Sequence, residues 1–208
     1  MTKMSSVAAS ARVEELFARR TAPLIDLAGH AEDVARTCHA MAGRFHRNGK
    51  LVVFGNGGPS TDAQHVAVEF VHPVIVGKRA LPALSLTADI ATVTGVANRV
   101  GLSEVFAHQI RLLAEPPDIA LGLSADGNCT NVLYGLEQAH ALGMLTVALL
   151  GGDGGAIAAS GVADHVLIAA ATDPRVVKEV HVTMYHVLWE LVHVFFEQPG
   201  VLDPGVVR

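Results

Sequence analysis

Between residues 11 and 47 apolar side chains return at steps of three and four: Val13, Leu16 and Phe17, then Val34, Cys38, Met41, Ala42 and Phe45, with charged residues between them. That period puts them on one face of a helix. Pro23 lacks the N–H that an interior turn uses, which predicts a kink or a division into two helices there. Asn48-Gly49 predicts the end of the second, because glycine takes positive φ after a last turn without steric strain. Short runs at 51–54, 83–86, 119–124, 145–150 and 165–168 follow, each apolar nearly throughout and too short for a helix. Such runs are strands covered on both faces. Helical lengths fall between them at 60–71, 89–98, 103–114, 129–142 and 155–161.

Strand and helix in alternation predict an α/β fold with a parallel, doubly covered sheet. The stretch 174–197 reads as helix through Val177, Val180, Met184, Val187, Leu188, Leu191, Val192 and Phe195. Its length predicts packing against a partner as well as its own core. No repeat or linker divides the chain, so it reads as a single domain over 1–208. A helical region spans 1–49, an α/β core with the long final helix spans 50–198, and a frayed tail covers 199–208.

Charge narrows the function. With 15 basic and 20 acidic residues the net charge is −5, and only 17% of the 208 residues are charged. Nothing in that balance attracts a polyanion, so direct nucleic-acid binding is disfavoured. The chain has no long uninterrupted apolar run and no signal-like start, which predicts a cytoplasmic protein without a membrane segment. Cys38 and Cys129 have neither disulfide nor metal-ligand spacing. The 11 histidines are the surplus to be explained.

Chemistry collects in the loops after the strands, where open parallel sheets bind ligands. Three are rich in glycine and small polar residues: 55–60 (Gly-Asn-Gly-Gly-Pro-Ser), 124–129 (Ser-Ala-Asp-Gly-Asn-Cys) and 151–155 (Gly-Gly-Asp-Gly-Gly). Glycine lets backbone N–H groups approach an anion, although strand-to-helix turns use it anyway. None of the loops matches a dinucleotide or P-loop motif. His65 and Glu69 follow the first loop, four residues apart on one helix face. That spacing suits a metal-ligand pair or a base with its partner, and also an ordinary surface pair. His186, Glu190 and His193 form a polar stripe on the final helix, with Lys178, Glu179 and His181 before it. The remaining histidines, His30, His39, His46, His108, His140 and His165, have no spaced partners and read as surface or packing residues.

These residues resemble the sugar isomerase (SIS) domain family, and within it the phosphoheptose isomerases. The similarity runs from about Phe45 to Glu197 through Gly55-Asn56-Gly57-Gly58, Asp62-Ala63-Gln64-His65 with Glu69, Leu81-Pro82-Ala83, and Gly95-Val96-Ala97-Asn98. It continues through Ser124 with Gly127-Asn128 and Asn131-Val132, Gly152-Asp153-Gly154-Gly155, and Glu179-Val180-His181 with His186. The resemblance implies a three-layer sandwich on a five-stranded, flavodoxin-like parallel sheet. It also implies a homotetramer with sites between subunits, and conversion of sedoheptulose 7-phosphate to an aldoheptose phosphate through an enediol. By the same resemblance Glu69 is the base and His186 the acid. Zinc is held by His65, Glu69, His186 and a glutamine, and the sugar phosphate lies against Asn56, Gly57, Gly58, Ser60, Glu69, Asn98, Arg99, Ser124, Ala125, Asp126, Cys129 and Lys178.

The chain departs from the family pattern in the cleft. Pro59 replaces a loop serine, removing a hydroxyl and an N–H, for which Ser60 is the nearest substitute. Asp126 adds a carboxylate to the second loop, and at ~5 Å it repels each phosphate charge by on the order of 3 kcal/mol at an effective dielectric near 20. Lys178 stands at the position of the zinc-binding glutamine, and an ammonium is not a ligand. Arg99 follows Asn98 where aspartate is usual, and Pro73 lies near a substrate-binding arginine, leaving His72 as the closest cation. The reciprocal changes predict that Asp126 pairs with Arg99 or Lys178. Three functions remain open on the sequence: a sugar-phosphate aldose–ketose isomerase, a non-catalytic phosphosugar-binding or assembly module, and metal-dependent chemistry on a neutral or cationic ligand.

Overall fold

The computed structural model describes residues 6–198 and 200–202. Helix α1 (Ser6–Gly29) runs unbroken through Pro23, and the expected division falls instead at His30, before α2 (Ala31–His46). A proline removes one backbone bond, and the Pro23 ring is buried on the core side, which offsets that loss. The break comes where Gly29, a poor helix former, meets His30 at φ −100° and ψ 26°. There the His30 ring nitrogen Nδ1 sits 3.0 Å from the Asp26 carbonyl, covering an end of the helix. At the end of α2 the positive φ belongs to Asn48, at 65°, rather than to Gly49. Gly49 is required for a different reason: a Cβ there would lie 2.2 Å from the Pro117 carbonyl oxygen.

The remaining elements alternate. They are β1 (Leu51–Gly55), α3 (Gly58–Val71), β2 (Ala83–Ser85), α4 (Ile90–Val100), a short 3-10 turn (Leu102–Glu104), α5 (Val105–Leu113), β3 (Ile119–Ser124), α6 (Thr130–Ala141), β4 (Leu145–Gly151), α7 (Gly155–Ser160), β5 (His165–Ala169) and α8 (Pro174–Glu197). All five strands are parallel, in the order β2-β1-β3-β4-β5, with Leu51 beside Ile119 and Ile119 beside Leu145. The residues of β1, β3 and β4 are buried throughout, as two-sided cover demands. Val34, Met41, Phe45, Val66, Phe70, Met184, Leu188 and Val192 bring α2, α3 and α8 to one face. Val96, Phe106, Ile110, Val132, Leu136 and Ile157 bring α4 to α7 to the other. This is the expected three-layer α/β fold.

Chain order reverses between β1 and β3, because β2 lies outside β1 while β4 and β5 lie outside β3. A crevice opens at such a switch point beyond the carboxyl ends of the strands. The loops leading into α3 and α6 border it, and a reciprocal amide pair spans it: Asn56 Nδ2 donates to Asn131 Oδ1 at 2.6 Å and Asn131 Nδ2 donates to Asn56 Oδ1 at 3.0 Å. Most of the tail expected to fray lies outside the described residues. Of the three described beyond position 199, Leu202 packs against the core.

Candidate active site

Helices α3 and α8 lie side by side and run in the same direction, because their contacts climb together: Lys178 meets Asp62, Tyr185 meets His65, and Trp189 meets Glu69. His65 Nε2 lies 3.2 Å from Glu69 Oε1, so the four-residue spacing does bring the two side chains together. The other ring nitrogen of His65, Nδ1, is 2.9 Å from the Tyr185 hydroxyl. Trp189 Nε1 donates to the Glu69 carbonyl oxygen at 2.9 Å, which fixes the backbone that carries the carboxylate. Glu69 keeps only 13% of its side chain exposed, against 43% for His65. His186 enters from α8, its ring centroid 5.3 Å from that of His65. One ligand atom from each of His65, Glu69 and His186 fits within 4.8 Å of the others.

Periodicity gave no sign of Tyr185 or Trp189 as parts of this cluster, since an aromatic on an apolar helix face reads as core. Tyr185 is indeed buried, and burial pushes its phenol well above the ordinary range, so the hydroxyl stays protonated. Of the other histidines considered for the cleft, His181 is buried and its desolvation favours the neutral ring, which takes it out of reach of a substrate. His72 is exposed at the end of α3.

Lys178 does not join the ligand cluster, nor does it pair with Asp126. Its Nζ lies 2.5 Å from Oδ1 of Asp62, a carboxylate with 4% of its side chain exposed, and donates to the Gly58 carbonyl and Thr61 Oγ1, both at 3.2 Å. A buried carboxylate one turn before His65 claims the nearest ammonium, because an unpaired charge there is far more unfavourable than an exposed Asp126. Asp126 turns into its own loop: its Oδ1 accepts the Asn128 N–H at 2.9 Å and the Ser124 hydroxyl at 3.2 Å.

Some of the donors of the two polar loops are therefore satisfied from within. Ser124 Oγ accepts the Gly127 N–H at 3.0 Å. Gly127 has φ +71° and packs so closely that a Cβ would lie 2.0 Å from the Gly154 carbonyl oxygen, so only glycine makes this turn. In the first loop Gly57 has φ 61°, and Ser60 closes onto it through its N–H at 3.0 Å and its hydroxyl at 2.7 Å. Pro59 lies in the first turn of α3, where a missing N–H leaves no helical bond unmade, so the fold accepts the substitution. Gly58 begins α3, Ala125 lies between Ser124 and Asp126, and Cys129 is partly exposed just before α6. The other thiol, Cys38, is buried and pushed up to about 12 by desolvation, which makes it inert.

Asn98 and Arg99 are not brought to this cluster within one chain. Both are exposed on α4, in the helix layer across the sheet from α3 and α8. Arg99 instead borders a cavity of about 590 Å³ with Ser85, Asp89, Thr92 and His108.

Comparison with known proteins decides the family. A model of the SIS domain matches residues 17–151. The chain is 39% identical over 179 residues to the phosphoheptose isomerase of Desulfovibrio desulfuricans, covering 85% of this chain and 84% of that protein. It is 40% identical over 192 residues to that of Chlorobium phaeobacteroides, covering 91% and 80%. The chain belongs to the phosphoheptose isomerase family of SIS-domain proteins. Among solved structures, a phosphoheptose isomerase from Francisella tularensis superposes with a TM-score of 0.83 at 30% identity, covering 92% of this chain and 100% of that one. The phosphoheptose isomerase of Neisseria gonorrhoeae gives 0.80 at 29%, covering 88% and 98%. Membership of this family bears out the resemblance carried by the glycine loop, the His65–Glu69 pair and His186. No helix among the described residues is long and apolar enough to cross a membrane.

Proposed function

We propose that this sugar-phosphate isomerase interconverts sedoheptulose 7-phosphate and an aldoheptose phosphate by proton transfer through an enediol. The observation that carries the reading is the convergence of Glu69, His65 and His186 within 4.8 Å between α3 and α8. Isomerisation of this kind needs a base to take the proton beside the carbonyl and an acid to protonate the carbonyl oxygen. Glu69 is suited to the first task, being mostly enclosed, held by Trp189 through its backbone and by His65 through Oε1. His186 is suited to the second, as an exposed imidazole on the adjoining helix. Reversing the two transfers at neighbouring carbons completes the aldose–ketose exchange.

Two imidazoles and a carboxylate are a suitable donor set for zinc with one open position, so His65, Glu69 and His186 fit the ion. Lys178 adds no fourth donor, because its ammonium is committed to Asp62. Zinc, when bound, would polarise the substrate carbonyl oxygen. The substrate phosphate would meet the starts of α3 and α6, near Asn56, Gly57, Gly58, Ser60, Ser124, Ala125, Asp126 and Cys129.

The same reading places the protein in the cytoplasm as a homotetramer with sites between subunits. Exposed Val68 and Val71 on α3, followed by Val74, Ile75 and Val76, support an interface there. Sites formed between subunits would give Asn98 and Arg99 access to a substrate that one chain denies them. A non-catalytic assembly role is not favoured, since it has no use for Glu69 and His186 together.

Turnover of sedoheptulose 7-phosphate in deuterated water is the test. Incorporation of solvent deuterium beside the carbonyl, and a fall in kcat of about 10²–10⁴ in Glu69→Gln with the thermal midpoint kept, are expected. A wild-type protein that neither turns over nor exchanges deuterium on C5–C7 sugar phosphates would overturn the reading.

A further inference from the structure

His65 is held at both ring nitrogens, and the two partners differ in kind. Glu69 is a carboxylate, which only accepts hydrogen bonds, so Nε2 must carry the proton for the 3.2 Å contact to be one. A neutral imidazole then has a bare Nδ1 that needs a donor. The Tyr185 hydroxyl, 2.9 Å away, supplies it. A phenol hydroxyl also accepts, which a lysine or arginine in its position would not do. If Nε2 gives up its proton to serve as a ligand, Nδ1–H can donate to the same oxygen without any heavy atom moving. The aromatic rings pack the arrangement together: Tyr185 meets His65 edge to face with centroids 5.4 Å apart, and meets His186 with centroids 4.9 Å apart.

We infer that Tyr185 is a positioning residue for the site, setting the tautomer of His65: as donor to Nδ1 it keeps Nε2–H on Glu69, and as acceptor from Nδ1–H it frees Nε2 as a ligand. The metal-bound half rests on the zinc reading above, whereas the metal-free half rests on the two contacts alone. Burial supports the assignment. Tyr185 is 2% exposed, so its hydroxyl has little access to water and its orientation is tied to the one nitrogen it faces. One turn along α8, Trp189 holds the backbone of Glu69 in the same manner, so a single helix face orients both members of the pair.

The test uses the full chain with imidazole ¹⁵N-labelled histidine at pH 8, where a free imidazole is neutral. The His65 resonance is assigned by its loss in His65→Asn. In metal-free wild type the ring is expected as the Nε2–H tautomer, and Zn²⁺ is expected to convert it to Nδ1–H. Tyr185→Phe, which removes one oxygen from an otherwise unchanged ring, is expected to give a mixture of tautomers without metal and to weaken Zn²⁺ binding about 10- to 100-fold. A wild-type His65 protonated on Nδ1 without metal would overturn the proposal, and this needs no variant to fold. So would an unchanged tautomer and unchanged Zn²⁺ affinity in a folded Tyr185→Phe. Failure of wild type to bind Zn²⁺ counts against the zinc reading and against the acceptor role, while the metal-free spectrum still decides the donor role.

Discussion

At the scale of single residues, two departures from the family pattern have different consequences. Asp126 both brings negative charge to the second loop and occupies the Asn128 N–H. Asp126→Ser removes the charge and frees that donor for an anion, so the KM for a sugar phosphate should fall about 3- to 10-fold, the exposed position screening the full repulsion. Steady-state kinetics at low and high salt check it, since the gain should shrink as salt rises. Lys178 matters through Asp62. Lys178→Met leaves a buried carboxylate without its cation and should destabilise the fold by about 1–3 kcal/mol, the half-exposed ammonium lowering the effect below that of a fully buried pair. In a denaturant-unfolding cycle, adding Asp62→Asn should recover much of that loss. Additive losses would mean that the pair contributes nothing.

At the scale of elements, the start of α8 has a pH signature. Asp173 caps the helix and accepts from Arg175 through both its side chain and its backbone N–H, and these bonds hold its carboxyl down to about 2. The native carboxyl thus ionises below the unfolded value of 3.8. Its contribution is fully present above about pH 4 and fades as pH falls toward about 2. Asp173→Asn keeps an oxygen for the cap and loses the titration, so its thermal midpoint should vary less than that of wild type between those two values. Parallel acid limbs in both proteins would remove Asp173 from the account. At α1 the periodicity predicts a helix, while its end is set by what the last carbonyls meet, here the His30 ring against the Asp26 carbonyl.

At the scale of the molecule, the single chain leaves Val71 and Val76 exposed and separates Arg99 from the His65 cluster by the thickness of the sheet. Both features are accounted for if four chains associate. Light scattering at micromolar concentration should give four times the mass of the chain, and Val71→Asp should lower the mass and the turnover together. A monomeric wild type with full activity would separate the site from any assembly.

The sequence by itself determined the alternation of strand and helix, and with it the parallel sheet, because uninterrupted apolar runs have only one stable setting between two helical layers. It also determined the family, since the glycine loop, His65, Glu69 and His186 carry chemistry that few other residues can perform. Spacing even placed His65 against Glu69, a contact internal to one helix. What it left undecided are contacts between elements far apart in the chain. Lys178 chose Asp62 over Asp126 because burial, invisible in composition, makes one carboxylate far more demanding than the other. Tyr185 was hidden for the same reason: 120 positions separate it from His65, and only the packing of α8 beside α3 turns an apolar-face aromatic into the partner of a site histidine.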